Sequence, residues 1–213
     1  MPNVRPLVLT AIFIALAIAG GLALIAIPNV ELITVTVFLA GFMLGAWRGM
    51  MVGAIAEFLY SFFNPYGVAA PPVLIAQVLS MALAGCGGSG LRFFCRERIP
   101  AAWLCALSGL LLTLIFDLAT TVGFLLITDQ GLAGMLAALT FGLYFYLTHL
   151  TSNTLLFAVL LPILIPRLQT LTIFRNLPRA QAVSDRNVSR RAVAAAHLQS
   201  ESASQDRRHS AFD

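Results

Sequence analysis

Lysine is absent from this sequence of 213 residues, and charged residues of any kind make up only 10% of it. Soluble domains contain about 25% charged residues and roughly 45–50% apolar residues. This chain is 59% hydrophobic, and its mean hydropathy is +0.89. The composition therefore argues against a soluble globular domain and against a disordered chain, and it indicates an integral membrane protein.

Cysteine is also scarce. The three cysteines, Cys86, Cys95 and Cys105, are an odd number without CxxC spacing, so neither a disulfide framework nor a zinc ribbon is expected. No other metal-ligand spacing occurs, and no glycine-rich phosphate loop is followed by a lysine. We therefore expect no metal site, no cofactor, no ATPase activity and no nucleic-acid partner for this chain.

Long apolar runs separated by short polar connections fill the first 168 residues. Residues 7–27 carry no charge, and as a helix they would extend ~31 Å, enough to cross the core of a bilayer. This run is too long for the apolar region of a signal peptide. The further runs are residues 32–47, 49–63, 73–91, 101–127 and 134–165. The sequence thus predicts an all-α integral membrane protein with six transmembrane helices in one bundle.

The arginines are distributed unequally between the two sides of this predicted bundle. When the connections are counted alternately, one set together with the C-terminal tail holds all 13 arginines, and the other set holds none. By the positive-inside rule, both termini are predicted to be cytoplasmic, in a bacterial-type cell membrane. Residues 1–168 are then a six-helix transmembrane domain, and residues 169–213 an Arg-rich cytoplasmic tail, disordered or partly helical on the lipid surface.

Polar side chains inside the predicted spans are candidates for function, because such groups are unfavourable in lipid. The set consists of Glu57, Tyr60, Asn64, Gln77, Asp117, Tyr146, His149 and Asn153. Its members lie mostly in the outer halves of their helices, and no arginine within a span neutralises the two carboxylates. We interpret the set as the lining of an outward-facing binding cavity. The alternative for any one residue is a structural hydrogen-bond network, for example between His149 and Asp117.

Small residues recur every four positions in the first predicted helix, at Ala11, Ala15 and Ala19. Strips of this kind allow helices to approach closely in lipid. The strip is therefore either an internal packing surface or a docking surface for the helix of a partner. A second series, four glycines from Gly41 to Gly53, is expected to serve the tight connection between helices two and three, with docking as the alternative.

Ser89 is a candidate nucleophile for a serine protease. Ser89 lies in a GxSG pattern on the fourth helix, and with His149 on the sixth it resembles the pattern of rhomboid intramembrane proteases. Ser89 is near the cytoplasmic end of its span, whereas His149 is nearer the outer end, which separates them by several ångströms or more. A nucleophile and its base must approach to about 2.6–3.2 Å. We therefore do not expect an enzyme.

The small size, the six predicted helices, the cytoplasmic termini and the AxxxA strip resemble the S components of energy-coupling factor (ECF) transporters. The sequences IPNVEL at residues 27–32, EFLYSFFNPYG at 57–67 and YLTHLTSN at 146–153 are similar to that family as well. The resemblance covers residues 7–166. It implies a cavity capped by the loops after helices one, three and five, and a vitamin or related micronutrient as substrate. It also implies docking of Ala11, Ala15 and Ala19 on a transmembrane coupling subunit that carries two ATPase subunits.

The polar residues also indicate what kind of ligand the cavity binds, independently of the family resemblance. Glu57 and Asp117 suit a cationic or donor-rich ligand, and a thiamine-like compound or its pyrimidine precursor fits best. Riboflavin or a cobalamin-type ligand stays open, since neutral groups and backbone can bind either. Two other functions are considered: a non-transporting membrane scaffold, and a solitary proton-coupled transporter that uses Glu57, Asp117 and His149 as a relay.

Overall fold

The structure, a computed structural model, describes residues 4–96, 98–128 and 131–175. Within these ranges every regular element is a helix, which confirms the predicted all-helical fold. The helices are α1 Arg5–Ala23, α2 Ile33–Leu44, α3 Ala46–Phe62, α4 Pro71–Phe94, α5 Ala102–Thr128, α6 Gly131–Thr170 and α7 Thr172–Arg175. Most of the predicted tail, residues 176–213, lies outside the described residues.

Four of these helices are long and apolar enough to cross a membrane. They are α1, α4, α5 and the Thr140–Thr170 part of α6, so the chain is a multi-pass membrane protein. By contrast, α2 has 12 residues and extends only ~18 Å, and the 17 residues of α3 include Arg48 and Glu57. The count of six crossings and the orientation of the termini stay predictions.

Helix α2 is enclosed by the others. All 12 of its residues are buried, and it contacts α1, α3, α4 and α6. A helix that is hydrophobic around its whole circumference is expected at the centre of a bundle. Because α2 is short, it does not fill the height of the bundle, and room remains beyond its N-terminal residue Ile33.

Glycines bring α2, α3 and α4 into backbone contact. A Cβ atom on Gly41 of α2 would lie 1.7 Å from the carbonyl oxygen of Gly85 on α4. A Cβ on Gly49 of α3 would lie 2.5 Å from the Cα of Gly41. Between α2 and α3 stands Gly45, whose φ of 94° is in the left-handed region that glycine tolerates. The glycine series therefore serves the α2–α3 connection, as predicted, and also a contact with α4.

The first helix ends earlier than hydropathy predicted. The expected span reached residue 27, but α1 ends at Ala23 and residues 24–29 form turns and a bend. Pro28 disfavours helical geometry in the residue before it. Asn29 has a φ of 58°, a left-handed conformation that asparagine adopts more readily than most residues. The early end of α1 is important for function, because the apolar residues that follow it line a cavity.

Candidate functional site

A cavity of about 500 Å³ lies near the N-terminal end of α2. One wall is the α1–α2 segment, residues 24–32, which contributes the seven consecutive lining residues 25–31. The other lining residues come from the start of α2, from α3 and the loop after it, and from α4, α5 and α6. They are Ile33, Glu57, Tyr60, Asn64, Tyr66, Gln77, Met81, Phe116 and His149.

Five of the eight predicted site residues line this cavity: Glu57, Tyr60, Asn64, Gln77 and His149. The first three follow the i, i+3, i+7 spacing along α3 and the turn after it, which places them on one face. Gln77 and His149 arrive from α4 and α6. The structure thus brings together polar groups that are separated by up to 92 positions in the sequence.

The other three predicted site residues are not among those that line the cavity. Asp117 Oδ1 lies 2.7 Å from Nδ1 of His149, in a buried pair. Tyr146 shares a 2.6 Å hydrogen bond with the hydroxyl of Thr121. Asn153 is fully buried, and its Nδ2 donates to Glu31 Oε1 at 3.3 Å. The network that was considered as an alternative, between His149 and Asp117, is therefore present.

The carboxylate of Glu57 is buried and only partly hydrogen-bonded. Its side chain is 3% exposed. The Ser61 hydroxyl lies 3.3 Å from Glu57 Oε1 and 3.0 Å from Gln77 Oε1, so it bridges α3 and α4. Glu57 Oε2 has no hydrogen-bond partner among the described residues. A buried acceptor without a partner is energetically unfavourable, and a ligand that donates a hydrogen bond there would relieve it.

Glu31 is a cavity residue that the sequence analysis did not single out. Its Oε2 accepts the backbone N–H of Thr34 at 2.9 Å, and its Oε1 accepts the Thr34 hydroxyl and the Asn153 amide. His149 Nε2 lies 3.8 Å from the same oxygen. Its place just before α2 was an available signal, because acids are favoured at helix N-termini.

The ionised form of Glu31 is favoured in the folded protein. Burial on its own raises the pKa of this carboxyl, but the neighbouring His149 and the hydrogen bonds from Thr34 lower it. The net effect holds the pKa of Glu31 below its ordinary value. Glu31 therefore enters the cavity wall as a carboxylate that already has protein partners.

The AxxxA strip of α1 faces away from the helices of the bundle. Ala11, Ala15 and Ala19 are exposed, whereas Phe13 and Ala17 on the opposite face are buried. Of the two roles considered for the strip, internal packing is therefore not observed within the described residues. Its use by a partner stays a prediction.

No metal site is formed by the described residues, since no three His, Cys, Asp or Glu side chains are arranged to hold an ion. Cys105 is buried, and Cys86 and Cys95 are half-buried free thiols. The cavity is a concave surface with apolar walls and a few buried polar groups, which is the usual composition of a small-molecule site.

In a comparison with protein-family models, residues 1–170 match the family described as ECF-type riboflavin transporter, S component. No curated protein and no solved structure matches the chain. The matched region ends at the residue where α6 ends. It therefore includes every helix that contributes to the cavity.

Proposed function

Because the chain belongs to the family of S components of ECF-type riboflavin transporters, we propose that it captures riboflavin in the cavity beside α2. S components are substrate-binding transporter subunits, not enzymes. The observation that supports binding most directly is the buried Glu57 side chain, which is among the residues that line the cavity and whose Oε2 has no hydrogen-bond partner among the described residues. The cavity of about 500 Å³ falls within the range of roughly 300–1,000 Å³ that ligand pockets occupy.

The polar groups of the cavity suit the chemistry of riboflavin. The pyrimidine edge of its ring carries one N–H between two carbonyl groups, and its ribityl chain carries four hydroxyl groups. Glu57 accepts hydrogen bonds, whereas the Gln77 amide can donate as well as accept. In our proposal these two side chains, held together by Ser61, bind the donor and acceptor groups of the flavin, and Tyr60 and Phe116 border the ring.

The ligand proposed here differs from the thiamine-like cargo that the two carboxylates first favoured. A cation is not required by the site, since Glu31 already has protein partners and Asp117 pairs with His149. Of the two glutamates that line the cavity, Glu57 is the one with an oxygen that has no partner among the described residues. A donor-rich neutral molecule satisfies it as well as a cation does, and the family is named for riboflavin.

Transport would require partners. S components work with an ECF module of a membrane coupling subunit and ATPase subunits, and we propose that Ala11, Ala15 and Ala19 dock on the coupling subunit in the cell membrane. With both termini cytoplasmic, the cavity would open outward and release its cargo after docking. The scaffold alternative has no support from the family, and the solitary proton-coupled transporter is tested by whether uptake needs the module.

Riboflavin titration of the purified full-length protein tests the proposal. We expect the intrinsic fluorescence of riboflavin to be quenched on binding with one ligand per chain, and excess thiamine not to displace it. Native mass spectrometry of the protein as isolated should show the same flavin mass. Displacement by thiamine, or absence of any flavin binding, would contradict the choice of ligand.

A cellular assay separates capture from transport. Uptake of labelled riboflavin should require co-expression of a coupling subunit and two ATPases, and it should not respond to a protonophore when ATP is maintained. Uptake by the chain alone that stops with the protonophore would favour a solitary proton-coupled transporter. Binding without uptake under either condition would leave capture intact and contradict the transport step.

A further inference from the structure

The α1–α2 segment supplies much of the cavity wall but is only weakly fixed by its own backbone. Within the segment, Ile27 N donates to Leu24 O at 2.8 Å and Val30 N donates to Ile27 O at 3.3 Å. These are isolated turns, without the continuous ladder of a helix. The position of the wall relative to the helices must therefore be determined by bonds to other elements.

Those bonds converge on α6. The Asn29 amide donates to the carbonyl oxygen of Phe145 at 2.8 Å, and the Ser152 hydroxyl donates to the carbonyl oxygen of Asn29 at 2.9 Å. Two positions further along the segment, Glu31 accepts from Asn153 and faces His149. The same short segment is thus attached to α6 at two points, one neutral and one charged.

The charged attachment extends to a third element. His149 lies between two carboxylates, with Nδ1 at 2.7 Å from Asp117 of α5 and Nε2 at 3.8 Å from Glu31. All three side chains are largely buried, and the pair of His149 with Asp117 fixes the plane and direction of the imidazole. A hydrogen bond at one ring nitrogen determines what the other nitrogen can do.

We propose that Asp117, His149, Asn153 and Glu31 form a latch that holds the α1–α2 segment in place as a wall of the binding cavity. In this latch Asp117 and Asn153 are positioning residues that act through His149 and Glu31 and do not touch the ligand. The latch rests on the proposed function and adds to it. The four latch residues keep the cavity in the shape that binds the ligand, whereas Glu57 contacts the ligand itself.

The state of the two cavity carboxylates supports this division. Glu31 accepts three hydrogen bonds from Thr34 and Asn153, so its oxygens are largely occupied by the protein. Glu57 accepts from Ser61 alone, and its second oxygen is without a partner among the described residues. A ligand that donates a hydrogen bond gains more at the unoccupied oxygen, because it displaces no existing bond there.

The first test needs no ligand. The full-length protein labelled with ¹⁵N in its histidine rings has only three such rings, and a His149→Gln variant identifies the signals of His149. We expect Asp117→Asn and Glu31→Gln each to shift these signals. Thr148→Val is the matched control, since the Thr148 hydroxyl bonds only within its own helix, to Tyr144 O. Unchanged His149 signals in Glu31→Gln would overturn the latch.

The second test separates positioning from contact and rests on the proposed riboflavin binding. Affinities are measured for riboflavin, for lumiflavin, which lacks the ribityl chain, and for riboflavin methylated at the pyrimidine N–H. Asp117→Asn and Asn153→Ala should each weaken all three ligands by a similar factor of roughly ten. The penalty of Glu57→Gln should instead shrink for the analogue that lacks its partner group.

The outcomes of this second test are distinguishable. A penalty for Asp117→Asn that disappears with one analogue would show direct contact, as the sequence analysis proposed, and would overturn the positioning role. If the unaltered protein binds no flavin, the proposed function fails, and the histidine signals still decide whether the latch exists. Should Asp117→Asn fail to fold, Asn153→Ala carries the same comparison, because it removes a donor to Glu31 without disturbing a charge.

Discussion

At the scale of single residues, the two cavity carboxylates differ in what surrounds them, although both are glutamates near the same end of the bundle. Glu31 stands outside the helices and is held by donors from α2 and α6. Glu57 stands on α3, is 3% exposed and has Ser61 as its donor. Substitution of Glu57 should therefore act mainly on ligand affinity, whereas substitution of Glu31 should act mainly on the stability of the fold.

Replacing Glu57 with glutamine should weaken ligand binding without destabilising the protein. The substitution keeps the shape but replaces an acceptor oxygen with an amide N–H donor, so the hydrogen bond that the ligand donates to Glu57 is lost, at a cost of about 1–3 kcal/mol or roughly five- to 150-fold in affinity. The melting temperature should stay about the same, because glutamine fills the same volume and is a neutral side chain that needs no counter-charge when buried.

Calorimetric titration beside a melting curve measures both quantities for Glu57→Gln. Ser108→Ala is the control, since the Ser108 hydroxyl bonds within its own helix to Leu104 O and is not among the lining residues. An unchanged affinity together with a lower melting temperature would indicate that Glu57 has a structural role and that the ligand binds elsewhere.

Glu31 should make stability depend on pH. Its pKa is lower in the folded protein than in the unfolded chain, so the unfolded state binds the proton more readily. The stabilisation is present at neutral pH and is lost as the pH falls from roughly 4.3, the value of a free glutamate, through the lower folded pKa. Melting temperatures between pH 6 and 3 should fall less steeply for Glu31→Gln than for the unaltered protein. Parallel curves would contradict the assignment.

At the scale of helices, the contact between α3 and α4 depends on glycine. A Cβ on Gly85 would lie 2.0 Å from the carbonyl oxygen of Gly49, whereas a Cβ on Gly90 would meet nothing within 4 Å. Both glycines lie in α4. Gly85→Ala should therefore lower stability by about 1–3 kcal/mol through overpacking, whereas Gly90→Ala should be neutral or slightly stabilising.

The melting temperatures of Gly85→Ala and Gly90→Ala, measured in the same detergent, test this prediction. Because the two substitutions are chemically identical and lie in one helix, helix propensity cancels between them. Equal melting temperatures would mean that α3 and α4 are not in backbone contact at Gly85.

The hydropathy of the sequence predicted where helices form, but it did not predict features that depend on turns or on contacts with other segments. Apolar run length predicted the positions of α1 to α6 along the chain, because burial of apolar surface follows hydropathy directly, whereas the count of six crossings stays a prediction. It failed at the end of α1, where the apolar residues 24–27 were predicted as helix but form a turn and a bend before Pro28. Gly85 was not singled out, since its role depends on a backbone that approaches from α3. Glu31 was missed because it was assigned to a connection and not to a span.

The exposed strip of α1 leads to a prediction about partners. Ala15→Leu should place a bulky side chain on the surface that the coupling subunit would approach, so uptake should fall while riboflavin affinity of the isolated protein is unchanged. Ala137→Leu is the matched control, because Ala137 is an exposed alanine of α6. Normal uptake by Ala15→Leu in cells with a complete transporter would contradict the docking role of the strip.

At the scale of the whole molecule, charge and cavity lie at different ends of α2. Arg92 donates to the carbonyl oxygens of Phe42 and Met43 at 3.1 and 3.3 Å, near the C-terminal end of α2. Glu31 borders its N-terminal end. Cations are favoured at helix C-termini and anions at N-termini, so this arrangement agrees with the helix dipole. It also gives the bundle one basic end and one acidic end that holds the cavity.

This polarity predicts the orientation in the membrane, since the end rich in arginine should face the cytoplasm and the cavity should face outward. Single cysteines in a background without Cys86, Cys95 and Cys105 test it. Trp47, in the first turn of α3, and Tyr66, in the loop that follows α3, are suitable positions, because they are 70% and 77% exposed at opposite ends of this helix. An impermeant thiol reagent applied to intact cells should label Tyr66→Cys rapidly and leave Trp47→Cys unlabelled.

Both should react after the membrane is permeabilised, which controls for accessibility. Labelling of Trp47→Cys in intact cells would reverse the bundle, direct the cavity to the cytoplasm and exclude capture of riboflavin from outside.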